Sequence, residues 1–478
     1  MTSQLPQFKL KLEYSLKVTT LTELRNIAHE LSQQLYHYRA DYLEIHLEES
    51  SGSYISYRGQ NLDTAGRSSD LGGNIRALVN GGWGFVSFNS LDDIRKRIDL
   101  AIHQASLAGS TQSQFASAPS VTYAQTDELS QSSVERPLED KKRILDEYKD
   151  LIWQTKGIKT SFIRFSDGYR RRFYVNSRGS VIEQSRSDIN FNATAIASGD
   201  GELQQSNISV GSRGNYNAIT GLHSQIKDMT EHAVKLLSAP KVKGGEYTVI
   251  LDPILAGVFV HEAFGHLSEA DHIYENPQMR EVMVLGKKFG PKILNIIDNP
   301  TMPDLRGSYK YDDEGVAATK NYLIREGKLT GRLHSRETAA KMNEPLSGNA
   351  RAISYRYAPI VRMSNTYIEP GVSTLEEMLD GVKEGIYVKN WYGGTTSMEM
   401  FTFSSGEAYM IRDGKIAEAL RPVVLSGNVF DTLHNIDMIG NDLDMNQGGG
   451  CGKSGQSPLP VSNGSPHIRI QKCLVGGA

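Results

Sequence analysis

The hexapeptide His261-Glu262-Ala263-Phe264-Gly265-His266 sets two imidazoles and a carboxylate directly behind the apolar run Leu251-Asp252-Pro253-Ile254-Leu255-Ala256-Gly257-Val258-Phe259-Val260. Polar groups buried at the end of such a run are costly without partners, and a divalent metal would supply one. Neutral imidazoles are metal ligands, and a carboxylate next to a ligand can act as general base on a water. The spacing is unusual. Histidines four apart sit about 40° from each other around a helix, whereas five apart gives about 140° and opposite sides. One turn with i→i+5 bonding would return both rings to one face, and such π-bulges recur at functional sites. Gly265 would lower the steric cost of that distortion. The segment is therefore either a metal site on a deformed helix or two histidines satisfied by ordinary neighbours. A third ligand decides between them.

Only two cysteines occur among the 478 residues. Cys451 lies in the glycine-dense stretch 447–456 (QGGGCGKSGQ), whose backbone can fold tightly around a bound group. Lys453 beside it would favour the thiolate. Cys473 sits in an alternating, strand-like run and reads as a small packed hydrophobe. His434 is the competing third ligand. Glu269, Asp271 and His272 either orient the ligand imidazoles or are solvated residues past a helix end. Asp312-Asp313-Glu314-Gly315 reads as an acidic turn, and Tyr392-Gly393-Gly394-Thr395-Thr396 suits close approach of another backbone.

Ordered blocks then extend the pattern: 261–271 (HEAFGHLSEAD), 307–316 (GSYKYDDEGV), 347–371 (SGNARAISYRYAPIVRMSNTYIEPG), 407–415 (EAYMIRDGK), 438–443 (MIGNDL) and the CGKxGQ loop at 451–456. Over residues 249–470 the chain resembles the TldD/PmbA metallopeptidases. The resemblance implies a zinc ion held by His261, His266 and Cys451, with Glu262 as general base. All four are present, so the chain resembles the catalytic, TldD-like branch; the run 457–461 is looser than the family's and leaves open only the local loop path. Three protein ligands leave the fourth tetrahedral position for water, the pattern of a catalytic site. Peptides or unfolded polypeptides are the implied substrates, read by strand addition to a sheet edge. The family commonly pairs a catalytic chain with a related non-catalytic one, so a homodimer or such a heterodimer is expected. The alternative is a non-catalytic, zinc-stabilised binding or assembly subunit acting only with its partner. Hydrolysis of another amide or ester would use the same chemistry.

A formal net charge of −3 gives no electrostatic case for nucleic acid or an anionic membrane. Two cysteines argue for a reducing compartment. Residues 1–11 lack the apolar core of a signal peptide, and no uncharged apolar run approaches the ~20 residues of a membrane span. A soluble, cytoplasmic protein is expected.

The elements that must hold the site predict an α+β chain, a mixed α/β N-terminal region followed by a sheet-rich metallopeptidase domain carrying the buried helix. Residues 1–109 form an α+β domain: a helix over 20–36 with a Thr20/Glu23 capping box and a stripe of Leu21, Leu24, Ala28, Leu31 and Leu35, a half-buried strand at 43–48, strands near 53–58 and 84–88, and a helix over 91–107. His46 falls on the polar strand face. Residues 110–135, rich in Ser, Gln and Thr, read as a linker. Residues 136–240 are strand-rich between flanking helices, with a hairpin at 176–179. Residues 241–478 are the zinc peptidase domain, whose helix is capped by Asp252 with Pro253 at its first position.

Overall fold

The computed structural model describes residues 21–109, 113–125, 131–397 and 399–477. Its fold is α+β. Helix α1 (Leu21–Gln34) turns Leu24, Ala28 and Leu31 inward along one stripe. The cap expected at Thr20 lies outside the described residues, as does the side chain of Leu21. Strand β1 (Tyr42–Arg58) is continuous through the two stretches read as separate strands. It pairs with β2 (Asn61–Val79), which pairs with β3 (Gly82–Phe88), and helix α2 (Ile94–Leu107) packs on these strands. The polar segment 110–135 contributes a short strand, β4 (Thr122–Gln125), and helix α3 (Gln131–Val134). Helix α4 (Leu138–Gln154), strands β5 (Ile158–Asn176), β6 (Val181–Gly199) and β7 (Glu202–Ser212), and helix α5 (His223–Lys235) follow.

All seven strands make one sheet in the order β3-β2-β1-β5-β6, with β4 and β7 both on β6. Antiparallel pairing of β1 with β5 joins the first and middle segments edge to edge. Alternation explains the middle core: Ile189, Phe191, Ala193, Ala195 and Ala197 of β6 point one way, onto Leu145 and Tyr148 of α4 and Ile226 and Met229 of α5. The expectation of a half-buried β1 is corrected. Tyr42 through Glu48 are buried on both faces, because the polar face of the sheet is covered by the C-terminal region. There Arg76 bridges Glu44 (2.8 Å) and Glu314 (3.1 Å), and Arg336 donates to Tyr42. His46, read as lying on an open face, is 4% exposed beside Glu44. The acidic turn at 312–315 is thus a buried plug on the sheet.

In the C-terminal region, β8 (Gly245–Leu251) belongs to a ring of pairings that closes on itself. It runs parallel to the Glu384–Ser397 strand and antiparallel to Ile468–Gly477; the strands Val423–Asn428 and Met400–Arg412 complete the circle. Closure removes sheet edges along most of the ring. A second, six-stranded sheet includes Ile296–Asp298, Asn365–Ile368 and Ser462–Ser465. Helix α6 (Pro253–Val260) lies between ring and sheet. Asp252 caps it, accepting from Leu255 N at 2.8 Å, as the Asp-Pro pair requires. Gly257 faces Gly464 so closely that a Cβ would lie 2.9 Å from Gly464 Cα, and Phe259 meets Phe401 and Phe403 edge-on. Among the described residues no helix is long and apolar enough to cross a membrane.

Candidate metal centre

Helix α6 passes without a break into a π-turn over His261–Gly265, in which His266 N–H donates to His261 O. The i→i+5 turn inferred from the histidine spacing is therefore present, and both rings face one point: their centroids are 5.2 Å apart at an interplanar angle of 83°. Gly265 has ordinary helical dihedrals (φ −58°, ψ −53°), so backbone freedom is not why glycine stands there. The Met363 side chain fills the place of a Cβ, its sulfur within contact distance and its Cε 3.3 Å away. The glycine makes room for the residue that backs the turn.

Cys451 arrives from 185 residues downstream, with Sγ 3.5 Å from His266 Nε2. The ligand atoms of His261, His266 and Cys451 all lie within 4.8 Å of one another. A tetrahedral zinc with bonds of about 2.0–2.3 Å has ligand–ligand edges of about 3.3–3.8 Å, which the sulfur–imidazole distance matches. His261 is buried, and its Nδ1 has no hydrogen-bond partner among the described residues. A buried imidazole with an unpartnered nitrogen, set beside a second imidazole and a thiol, belongs to the donor set of a borderline-soft divalent ion. Burial alone would raise the Cys451 thiol pKa; the His261 and His266 imidazoles hold it well below the usual value. Glu262, half-buried on the same turn, takes no ion pair or side-chain hydrogen bond among the described residues. His434, the competing third ligand, is exposed at the end of the Val429–His434 helix and is not part of the cluster. Cys473 is packed in the core, its thiol pushed up to about 12 by burial.

Residues 244–477 match the model described as PmbA/TldA metallopeptidase C-terminal domain, 43–105 that of the family's domain 1, and 132–237 that of its central domain. A metalloprotease of Synechocystis is 45% identical over 444 residues, covering 92% of this chain and 96% of its own. A zinc metalloprotease TldD homolog of Saccharolobus solfataricus is 32% identical, covering 85% and 90%. The chain belongs to the PmbA/TldD metallopeptidase family. It is a metallopeptidase. The fold is also that of TldE from Thermococcus kodakarensis (TM-score 0.73, 18% identity, 95% and 99% covered) and of a putative modulator of DNA gyrase from Thermotoga maritima (TM-score 0.74, 18% identity, 96% and 100% covered).

In this metallopeptidase, only some of the groups around the candidate cluster have a signal in the sequence. Glu269 is fully buried and accepts from His266 Nδ1 at 3.0 Å, fixing the ring so that Nε2 points at the sulfur. Burial opposes its charge, but His266 and Lys453 hold its pKa down at about 2. Lys453 does not serve Cys451 as expected from sequence. Its ammonium is taken by Glu269 (3.1 Å), Asp271 (2.7 Å) and the Val361 carbonyl. Asp271 thus meets a lysine rather than an imidazole, and His272 is exposed, 3.9 Å from Glu269. Two arginines had no signal in sequence. Arg362, fully buried, donates to the carbonyls of Cys451 and Gln456 and so clasps both sides of the cysteine hairpin. Arg306 donates to the Gln447 and Gly449 carbonyls while pairing bidentately with Asp188 of β6. The glycines let this loop pass closely between β7 and Trp391: a Cβ on Gly448 would lie 2.5 Å from Ser209 Oγ.

Proposed function

We propose that this metallopeptidase is a cytoplasmic zinc enzyme that hydrolyses peptide bonds in short or unfolded polypeptides, with His261, His266 and Cys451 as the ligands and Glu262 as general base. The observation carrying the proposal is the convergence of three ligand atoms around a π-turn that also bears an unpartnered carboxylate. Zinc bound there would polarise a water and the scissile carbonyl. Glu262 would accept the water's proton on its carboxylate and pass it to the departing amine. Glu269 would keep the His266 proton on Nδ1, leaving Nε2 free as a ligand.

The substrate side rests on a strand edge. Beyond Val388 the Glu384–Ser397 strand pairs with Met400–Arg412 on one side, and among the described residues no strand pairs with its other side. The strand lies against the π-turn. Gly393 has open space beside it, while Gly394 is closed by Phe403. An extended peptide added there would be held through its backbone, the mode suited to unfolded chains. The enzyme would act as a homodimer, or as a heterodimer with a related non-catalytic chain.

Metal analysis of the purified protein and an unbiased peptide digest test this together. About one zinc per chain is expected, and Glu262→Gln should keep the metal yet lose roughly 10²–10⁴-fold in cleavage rate. Wild-type cleavage by the variant would remove Glu262 from the mechanism. Zinc retained without cleavage of any peptide, even with the related chain present, would leave a metal-stabilised binding subunit.

A further inference from the structure

Where the N-terminal sheet meets the C-terminal region, a cavity of ≈ 280 Å³ is walled by β5, β6 and residues 300–313, with Arg351 and Leu459 closing it. Six cationic side chains line it, namely Arg170, Arg172, Arg186, Arg213, Lys310 and Arg351, against the carboxyls of Asp304, Asp312 and Asp313. The acids do not balance them. Asp313 is committed to Arg172. Asp312 is enclosed by the backbone N–H groups of Glu314, Val316 and Ala350, and burial, with the Glu314 carboxyl beside it, raises its pKa well above its ordinary value.

Three of the arginines are under-neutralised. Arg351 is buried and gives its N–H groups to the carbonyls of Met363 and Pro460, with no ion pair among the described residues. Arg186 donates to the Arg306 carbonyl, and its nearest carboxylate, Asp188, is 3.9 Å away and already gripped by Arg306. Arg170 stands 3.8 Å from Glu48, which Arg172 holds at 2.7 Å. Burial, with Arg351, Arg170 and Arg213 facing it, pushes the Arg186 pKa well below arginine's ordinary value despite Asp188. Guanidinium does not give up its proton in water, so Arg186 remains a cation held in a dry site, with Arg170, Arg213 and Arg351 adding like charge. Arg170 and Arg186 also border a second hollow of ≈ 340 Å³, so they form a partition reached from two sides.

We propose that this cavity is a binding site for an oxyanion, a carboxylate or phosphate group held by Arg170, Arg186 and Arg351. Planar guanidinium forks match the geometry of both groups, and a ligand charge would relieve the repulsion among them. The cavity reaches the centre through Leu459, which pairs with Cys451 across the cysteine hairpin, and through the Arg351 grip on Pro460. Occupancy would therefore stiffen the hairpin carrying Cys451. The site does not depend on the zinc reading, because none of its residues belongs to the metal cluster.

The test is calorimetric and thermal titration of the full chain, in metal-free and zinc-loaded forms, at constant ionic strength. Inorganic phosphate, citrate, an N-acetylated peptide with a free C-terminal carboxylate and its C-terminal amide are the four probes. Saturable binding of at least one oxyanion is expected, weakened about tenfold or more by Arg186→Gln and by Arg170→Gln. Without ligand, both variants should melt at or above the wild-type temperature, since each removes a crowded charge. The exposed Arg412→Gln should bind as wild type does. Preference for the free-acid peptide over its amide assigns the site to a polypeptide terminus; binding of phosphate or citrate alone assigns it to a free small anion. Absence of saturable binding by every probe, or equal binding by both variants, overturns the proposal.

Discussion

Replacing Gly265 by alanine separates two explanations of the π-turn. If glycine is there for backbone freedom, alanine strains the turn whatever surrounds it. The helical dihedrals at Gly265 argue instead that space is the constraint, since the Met363 sulfur occupies the Cβ position. At such dihedrals alanine should gain about 0.5–1 kcal/mol over glycine from the unfolded chain. Overpacking against a fully buried methionine costs about 1–3 kcal/mol, so Gly265→Ala alone should destabilise by up to about 2 kcal/mol. Met363→Ala alone should cost about 2–5 kcal/mol by cavity formation. In the Met363→Ala background the alanine at 265 finds room and becomes neutral or stabilising by up to about 1 kcal/mol, giving a favourable coupling of about 1–3 kcal/mol. Urea unfolding of the metal-free proteins measures the cycle, and zinc content reads the site. Gly265→Ala should lose zinc affinity to the extent that the clash with Met363 shifts the turn bearing His266, and the double variant should recover it. Strict additivity of the two changes would refute the steric reading and restore the conformational one.

Two further outcomes follow from the same residues. Glu269→Gln removes the carboxylate that orients His266 while keeping a hydrogen-bond acceptor of the same shape, and zinc affinity should fall about 10–100-fold by competition with a chelator; unchanged affinity would make Glu269 merely structural. Asp252 caps α6 while burial lifts its pKa to about 6, against the pull of the N–H groups of Leu255 and Asn390. A carboxyl raised in the folded state lends stability that is fully present below its unfolded pKa of about 4 and is lost as pH rises through about 6. The loss is about 3 kcal/mol for a shift of about two units, and Asp252→Asn, an equally good cap, should abolish this part of the pH dependence in denaturant titrations from pH 4 to 7.

Local rules carried much of this far. Histidine spacing implied the wide turn, Asp252-Pro253 marked the helix start, and the alternation in β5 and β6 with the turn at 176–179 gave the longest hairpin. The failures were of covering and reach. β2 was missed because its middle is polar and carries Gly72 and Gly73, which lie where Phe88 and Tyr355 crowd the backbone. The polar face of β1 read as solvent-facing because periodicity records the polarity of a face and not what lies over it. Arg76, cross-strand partner of Glu44, reaches Glu314 far along the chain, so no local pattern announces the docking. Lys453 was placed beside the thiol by sequence proximity, yet its side chain reaches the carboxylates of residues 269 and 271. Arginines that bind carbonyls, such as Arg362, have no partner type to search for in sequence.

The two halves of the candidate metal cluster are held by different means. His261 and His266 are fixed by a helix packed on every side, so their separation follows from the apolar run and its wide turn. Cys451 sits on a loop with almost no side chains of its own to pack, and its position comes from what grips the backbone: Arg362 from the six-stranded side, and Arg306, anchored on Asp188 of β6, from the N-terminal sheet. A glycine-rich loop contributes little conformational restraint, so restraint has to be imported through charged, geometrically specific contacts. The N-terminal sheet is therefore part of the centre's construction. Docking of Asp188 on Arg306 therefore helps to hold the loop that leads into Cys451, alongside the Arg362 grip on the Cys451 carbonyl, and ties the candidate cluster to packing of the two halves of the chain.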